Sequence, residues 1–281
     1  MPTELTLTLP HLKLAALAWG PADGVPVLGL HGWLDNAATF TALAPLLDGI
    51  RLVALDLPGH GHSDWRPAGA AYHFIDWVPD VAAAADALGW DRFSLLGHSM
   101  GAGISTLVAG ALGERIARLV LIEGLGPMST EAAEAPAQVA RALAHRRRAA
   151  EGQRRVYASL DEAVERRSTA TSPMARSSAE VLVARNLRQV EGGWAFGYDP
   201  ALRGTSILRL TEAHVQAFIG AITAPTLLIG ASEGWPFDPE LLAARVARLR
   251  DGRVMTVPGG HHVHLDDAGV LGEAVAGWLR G

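Results

Sequence analysis

Phe93-Ser94-Leu95-Leu96-Gly97-His98-Ser99-Met100-Gly101-Ala102-Gly103-Ile104 is the stretch that decides the fold. It opens as a short apolar strand, Arg92 to Leu96, and passes through glycine-x-serine-x-glycine. It continues as a helix of small residues from about Ala102 to Leu112. A serine between strand and helix must sit on a tight turn with strained backbone angles, and the glycines make that turn possible. The start of the helix then points backbone N–H groups at negative charge developing beside the hydroxyl. Ser99 reads as a nucleophile, and the Met100 N–H as one donor to an oxyanion.

Upstream, two more apolar strands end in unusual loops. Val25 to Leu30 runs into His31-Gly32-Trp33-Leu34-Asp35-Asn36, and Ile50 to Leu55 into Asp56-Leu57-Pro58-Gly59-His60-Gly61-His62-Ser63-Asp64. Helices are predicted at Ala37 to Leu47 and at Phe74 to Leu88, the second stopped by Gly89. Downstream, a strand from Ile116 to Ile122 ends at Glu123-Gly124-Leu125-Gly126-Pro127. The pattern resumes with a strand at Pro225 to Ile229, a helix at Pro239 to Leu249, a strand at Arg253 to Val257 and a last helix from about Gly269 to Leu279. This alternation predicts a mostly parallel α/β sheet, and continuous apolar strands suit a sheet covered on both faces.

At the start, Leu5, Leu7 and Leu9 alternate with polar residues, an apolar stretch runs to Trp19, and Pro21-Ala22-Asp23-Gly24 is a turn; together they predict an opening hairpin. Residues 128 to about 218 are arginine-rich and helical, with no convincing strand. The segment is too long for a plain loop and is expected to fold as a helical cap. The predicted division is a core of 1–126 and 219–281 and a cap of 127–218. Arg146-Arg147-Arg148 and Arg154-Arg155, set among Glu151, Asp161, Glu162 and Glu165, read as a solvated face of mixed charge.

The chain has 281 residues, 49% hydrophobic and 19% charged, enough to bury a large core and too apolar for disorder. A net charge of -5 gives no reason to expect nucleic acid as partner. The absence of cysteine removes disulfides, thiolate-held metals and a cysteine nucleophile. No apolar run reaches the length of a membrane span, and Glu4 stands where a signal peptide would carry positive charge. A cytoplasmic protein, monomer or homodimer, is expected.

A second oxyanion donor should come from the loop after an earlier strand. The Trp33 N–H fits, with Gly32 allowing close backbone approach and His31 pinning the loop. Asp35 and Asn36 read as a helix cap and backbone brace, and His98 as support beside the nucleophile. The base needs a loop at the carboxyl edge of the sheet, and Pro258-Gly259-Gly260-His261-His262-Val263-His264-Leu265-Asp266 provides one. Three histidines invite a metal, but a site also needs converging geometry, and none is expected. One of them is the base and the others are loop structure.

Taken together, these motifs resemble the α/β-hydrolase fold family, whose chain order is serine, acid, histidine. The resemblance implies that the turn from Asp56 to Asp64 is structural. It also implies a last loop of glycine-histidine, two residues, histidine, leucine, acid; Gly260-His261 with His264-Leu265-Asp266 matches, so the base falls to His261. More narrowly, the loops beginning at His31 and at Glu123 are similar to the serine hydrolase-like branch. Tyr157-Ala158-Ser159-Leu160, Asp199-Pro200 and Leu210-Thr211-Glu212 add to that likeness. The usual family position for the acid follows the strand Thr226 to Ile229, where Glu233 stands in Gly230-Ala231-Ser232-Glu233-Gly234. Some members keep it one core strand earlier, where Glu123 stands. A carboxylate in the apolar run Leu119 to Leu125 needs a polar partner if buried, which favours Glu123; Glu233 is the rival and Asp238 a third choice.

The resemblance implies hydrolysis of carboxylic esters of small to medium hydrophobic compounds through an acyl-enzyme, without metal or organic cofactor. Lactones, thioesters, amides or the carbon–carbon bond of a meta-cleavage type product are alternatives, as is a non-catalytic binding protein. Dehalogenases and epoxide hydrolases carry aspartate where Ser99 stands, which sets them aside. Trp194, Phe196, Tyr198 and Phe218 of the cap, with Trp235 and Phe237 of the core, are expected to line an apolar pocket.

Overall fold

The computed structural model describes residues 1–151, 155–204 and 206–281, and side chains outside 146–151. The strands are β1 (Thr3–Thr8), β2 (Lys13–Trp19), β3 (Val25–Leu30), β4 (Ile50–Leu55), β5 (Phe93–His98), β6 (Ile116–Ile122), β7 (Leu187–Val190), β8 (Gly193–Phe196), β9 (Thr226–Glu233) and β10 (Gly252–Gly260). Eight of them form one sheet in the order β1-β2-β4-β3-β5-β6-β9-β10. β2 runs antiparallel to both its neighbours, and β4 through β10 in this sheet are parallel. Successive strand residues point to opposite faces. Leu28, Leu95 and Leu121 therefore join one apolar cluster, while their neighbours Val27, Leu96 and Val120 join the other.

Helices cover both faces. They are α1 (Trp77–Ala87), α2 (Met100–Leu112), α3 (Ala135–Glu151), α4 (Leu160–Ser168), α5 (Arg176–Asn186), α6 (Glu212–Ala221), α7 (Pro239–Val246), the single turn α8 (Val263–Asp266) and α9 (Gly269–Arg280). The first cluster packs Val81 of α1, Ile104 and Val108 of α2 and Ile219 of α6; the second packs Leu271 and Val275 of α9 with Phe40.

Three local readings are corrected. Ala37 to Leu47 is not one helix but two 3-10 turns, Ala37–Phe40 and Ala44–Leu46. Pro45 lacks the N–H an α-helix would need there, and its ring crowds the preceding turn. The opening hairpin turns at Leu9 to Leu12, where the Leu9 N–H donates to the Leu12 carbonyl; Pro21 to Gly24 instead joins β2 to β3. The inserted segment also contains an antiparallel hairpin, β7 with β8. Its signal in sequence is the Glu191-Gly192-Gly193 turn followed by Trp194-Ala195-Phe196, and Gly192 and Gly193 both take positive φ.

The insertion after β6 has its own small core of Tyr157, Val164, Leu182, Val183 and Leu187, which reaches Leu265 of the sheet's last loop. The runs Arg146-Arg147-Arg148, Glu151 and Arg154 lie outside the described side chains. Polar groups tie the cap to the core. The buried guanidinium of Arg185 on α5 donates through Nε to both Asp56 oxygens at 3.1 and 3.0 Å and through its Nη atoms to Glu4. Asp56 also accepts from the Ala37 and His62 N–H groups, both at 2.8 Å. Arg188 donates to the Gly61 carbonyl, and the Tyr72 hydroxyl to Asp199.

Arg185→Met leaves the Asp56 charge buried and without its guanidinium. Breaking such a pair costs about 3–5 kcal/mol, so urea unfolding should show that loss, partly recovered in the double variant with Asp56→Asn. An unchanged unfolding free energy in Arg185→Met would show that the pair contributes nothing.

Candidate active site

Ser99 is the single residue between β5 and α2, with φ 53° and ψ −113°. The chain can take this turn because its neighbours are glycines. A Cβ on Gly97 would stand 2.5 Å from the Gly101 carbonyl oxygen, and one on Gly101 would stand 2.0 Å from that of Leu30. The same close packing seats the start of α2 on the end of β3. Among the described residues, non-glycine positive φ occurs at Leu34, Ser99 and Glu123. All three follow strands at the carboxyl edge of the sheet, where strain is held in place by the surrounding fold.

The hydroxyl of Ser99 donates to His261 Nε2 at 2.9 Å. His261 Nδ1–H donates to Glu123 Oε2, also at 2.9 Å. That second bond leaves Nε2 as the acceptor facing the serine. Glu123 is 3% exposed, and its charge is met by backbone donors: the Ala231 N–H on Oε1 at 2.7 Å and the Trp235 N–H on Oε2 at 2.6 Å. The end of β9 (Ala231) and the loop after it (Trp235), which the family resemblance marks as the usual seat of an acid, here supply donors to a carboxylate that follows β6. Glu233 is exposed at the end of β9. Asp238 caps α7, accepting from the Glu240 and Leu241 N–H groups.

Gly234 makes room for this arrangement, because a Cβ there would stand 2.2 Å from Glu123 Oε2. Gly234→Ala should displace the carboxylate from His261 and lower kcat by about 100-fold, the scale expected for a misplacement near 1 Å, with KM little changed. Steady-state kinetics on an ester reads this directly; native kcat would refute the steric argument.

The loop after β3 lies against the turn that carries Ser99. Gly32 approaches both His98 and Asp35, since a Cβ there would stand 3.1 Å from each. His31 is fully buried; its Nδ1–H donates to the Gly32 carbonyl at 2.7 Å and its Nε2 accepts from the Leu57 N–H at 3.0 Å. Burial lowers its pKa, against the pull of that carbonyl. The Trp33 indole is half exposed and donates to the Leu202 carbonyl of the cap. Met100 is the first residue of α2, where N–H groups lack intrahelical acceptors.

Four histidine rings cluster, tilted to one another, next to the serine. The His98 ring centroid lies 4.9 Å from His261, 5.1 Å from His262 and 4.0 Å from His264. His98 Nε2–H donates to the His261 carbonyl at 2.9 Å, which fixes the loop carrying His261. Burial, then the neighbouring His264, His261 and His262, hold the His98 pKa well below its usual value. His264 Nε2 meets the Thr39 hydroxyl at 2.8 Å.

Asn36 caps the first 3-10 turn as read from sequence, but Asp35 does something else. It is buried, and Arg167 of α4 donates to its Oδ1 at 2.5 Å. Burial raises the Asp35 carboxyl, but Arg167, then His262 and His98, bring it well below the usual carboxylate range. Nothing local in sequence pairs residues 132 positions apart, so Arg167 was not foreseeable.

The expected aromatic lining is dispersed. The Trp235 ring centroid lies 5.6 Å from His261, and Phe237 is partly exposed close by in sequence. Trp194 and Phe196 pack on the cap's own core, and Phe196 stacks on Tyr198 at 5.8 Å. The Phe218 carbonyl lies against Gly110 where α6 crosses α2, eleven residues or about 16 Å along that helix from Ser99.

Residues 25–268 match the sequence profile of the alpha/beta hydrolase fold family. A serine hydrolase-like protein of Danio rerio is 32% identical over 99% of this chain and 88% of its own. Serine hydrolase-like protein 2 of Homo sapiens is 30% identical over 99% of this chain and 94% of its own. The crystal structure of the hypothetical protein PA1622 from Pseudomonas aeruginosa PAO1 superposes with a TM-score of 0.92 at 46% identity, covering 98% of this chain and 97% of that one. The chain is a member of the α/β-hydrolase fold family, related to the serine hydrolase-like proteins.

Proposed function

We propose that the protein is a serine hydrolase that cleaves carboxylic esters of small to medium hydrophobic compounds, with Ser99, His261 and Glu123 as its triad. The hydrogen-bonded chain from Ser99 through His261 to Glu123 carries this reading. His261 takes the proton of Ser99 as its oxygen attacks the ester carbonyl. The Met100 and Trp33 N–H groups hold the oxyanion. His261 then passes the proton to the departing alcohol. Water, deprotonated by the same nitrogen, releases the acid from Ser99. Glu123 keeps His261 in the tautomer that this sequence requires and stabilises the imidazolium. The cycle needs no metal or organic cofactor.

Trp235, partly exposed and 5.6 Å from the His261 ring, favours an apolar substrate, as do the exposed Trp33 and Phe237 on the neighbouring loops. The same proposal places the cap at 127–218, with the core in 1–126 and 219–281, and takes the protein to be a cytoplasmic monomer or homodimer. No helix among the described residues is long and apolar enough to cross a membrane.

The test is a fluorophosphonate label located by mass spectrometry, alongside hydrolysis of p-nitrophenyl esters of increasing chain length. The expected result is a single adduct on Ser99 and turnover absent from Ser99→Ala. An unlabelled Ser99 with equally inert native and Ser99→Ala proteins would overturn the proposal and leave a binding role. Labelling of Ser99 without ester turnover would move the substrate to a thioester, amide, lactone or carbon–carbon bond.

A further inference from the structure

His262, the residue after the base, belongs to a second buried group. Asp35, His98 and His262 are 1%, 0% and 3% exposed. Asp35 Oδ2 lies 3.4 Å from His262 Nε2 and 4.0 Å from His98 Nδ1, and the three residues can bring one donor atom each within 4.8 Å of one another. The His98 tautomer is fixed from outside. His98 Nε2–H is committed to the His261 carbonyl, so Nδ1 carries a lone pair, and no group bonds to it. It faces a carboxylate oxygen, another acceptor. His262 Nε2 lies 3.2 Å from Arg167 Nη2 as well as facing Asp35, and its Nδ1 has no partner, so a proton shift to Nδ1 frees Nε2 as a donor to a cation. Gly32, with no side chain, leaves the space between Asp35 and His98 open.

Two neutral imidazoles and a carboxylate are a donor set for zinc and similar divalent transition metals. At metal–ligand distances of about 2.0–2.1 Å, a tetrahedral site separates its ligand atoms by about 3.3 Å. The observed 3.4 and 4.0 Å to Asp35 therefore require a contraction of less than an ångström, and the two imidazole nitrogens, within 4.8 Å of each other, one of at most about 1.5 Å. His98 already has the outer-shell partner that orients a metal-ligating histidine, the His261 carbonyl.

The positive charge at this carboxylate is now the guanidinium of Arg167, which reaches in from cap helix α4 with 15% of its side chain exposed. We propose that Asp35, His98 and His262 form an inhibitory site for a zinc-like divalent cation, which enters by displacing Arg167. A dication and a guanidinium cannot share one carboxylate in a buried pocket, so the ion and the arginine compete. The path that Arg167 follows to the surface is the ion's way in. Closing the ligands on the metal draws on His98, which holds the backbone of His261, and takes a cap anchor away. Inhibition rests on the hydrolase reading above; binding of the ion does not.

The experiment titrates the metal-free protein with cobalt(II), following the visible bands of low-coordinate cobalt, and then displaces cobalt with zinc. One saturating equivalent is expected. His262→Gln should weaken binding by at least about 10-fold. Arg167→Met, which removes the competing cation, should strengthen it by about 10-fold, and Arg167→Lys should bind nearly as the native protein does. Ester hydrolysis measured in parallel should be inhibited by zinc, restored by EDTA, and resistant to zinc in His262→Gln. No saturable cobalt band overturns the site. So does binding that His262→Gln leaves unchanged while Glu123→Gln abolishes it, because that would put the ion on the triad. A protein inactive on esters that still binds cobalt through His262 removes the hydrolase reading and leaves the site standing.

Discussion

Glu123→Gln should lower kcat by about 10⁴-fold, the scale seen when a triad acid becomes an amide, while Glu233→Gln should stay within about twofold of native, as exposed substitutions do. The two oxygens of Glu123 accept three N–H groups, from Ala231, Trp235 and His261. Glutamine has one oxygen and one NH₂. Whichever way it turns, the NH₂ faces an N–H donor. If it faces His261, the ring must give up its Nδ1 proton or break the contact, and Nε2 is no longer the base that Ser99 needs. If it faces Ala231, the oxygen keeps His261, but the negative charge that stabilises the imidazolium is gone. Both outcomes lower kcat more than they raise KM, since substrate does not touch Glu123. A pH–rate profile on p-nitrophenyl esters with circular dichroism as a folding control measures the effect. Native kcat in Glu123→Gln would remove it from the triad, and a large loss in Glu233→Gln would put the exposed residue there instead.

Why Glu123 rather than Glu233 takes this place was only half legible in the sequence. The apolar run Leu119 to Leu125 marked a carboxylate that needs partners. What could not be read was that those partners are backbone N–H groups from the end of β9 and the loop that follows it. Backbone donors carry no residue signature, and the one side-chain clue is the hydrogen of Gly234, which leaves room for the carboxylate. β3, β4 and β6 could be read to the residue because each is a mostly apolar run followed at once by a polar residue, His31, Asp56 or Glu123. The hairpin of β7 and β8 was hidden because four-residue strands hold too little alternation to stand out in an arginine-rich segment. Cap-to-core pairs such as Arg167 with Asp35 and Arg185 with Asp56 join positions more than a hundred residues apart. Their logic is that a buried charge at the edge of the sheet must find an opposite one, and sequence names the charge without naming its partner.

The second large effect follows from the buried histidines. The protein should lose stability steeply as pH falls below about 6.5, before its carboxylates begin to titrate. His31, His60, His98 and His264 are all fully buried. Burial lowers each of them, His60 and His98 well below the usual value and His264 to about 3, with neighbouring histidines adding to the shift at His60, His98 and His264. Below the unfolded value of 6.5 the unfolded chain binds a proton at each position that the native protein refuses. Their contribution is therefore complete above 6.5 and falls with pH, continuing down to about 3 for His264. One such histidine costs at most about 1.4 kcal/mol per pH unit, so the four together have a ceiling of about 5.6 kcal/mol per unit, a large share of the stability of an ordinary domain. Asp35 does not mask the effect, because its folded pKa lies well below 3.8 and its own loss begins lower. Urea unfolding at pH 8, 7, 6 and 5 should give a plateau followed by a steep fall. In His264→Gln, where the amide can still meet the Thr39 hydroxyl, the slope below pH 6 should drop by one histidine's share. A stability that changes by less than about 1 kcal/mol between pH 7 and 5 would mean that these rings accept protons in the folded protein, and the cluster next to Ser99 would then carry charge.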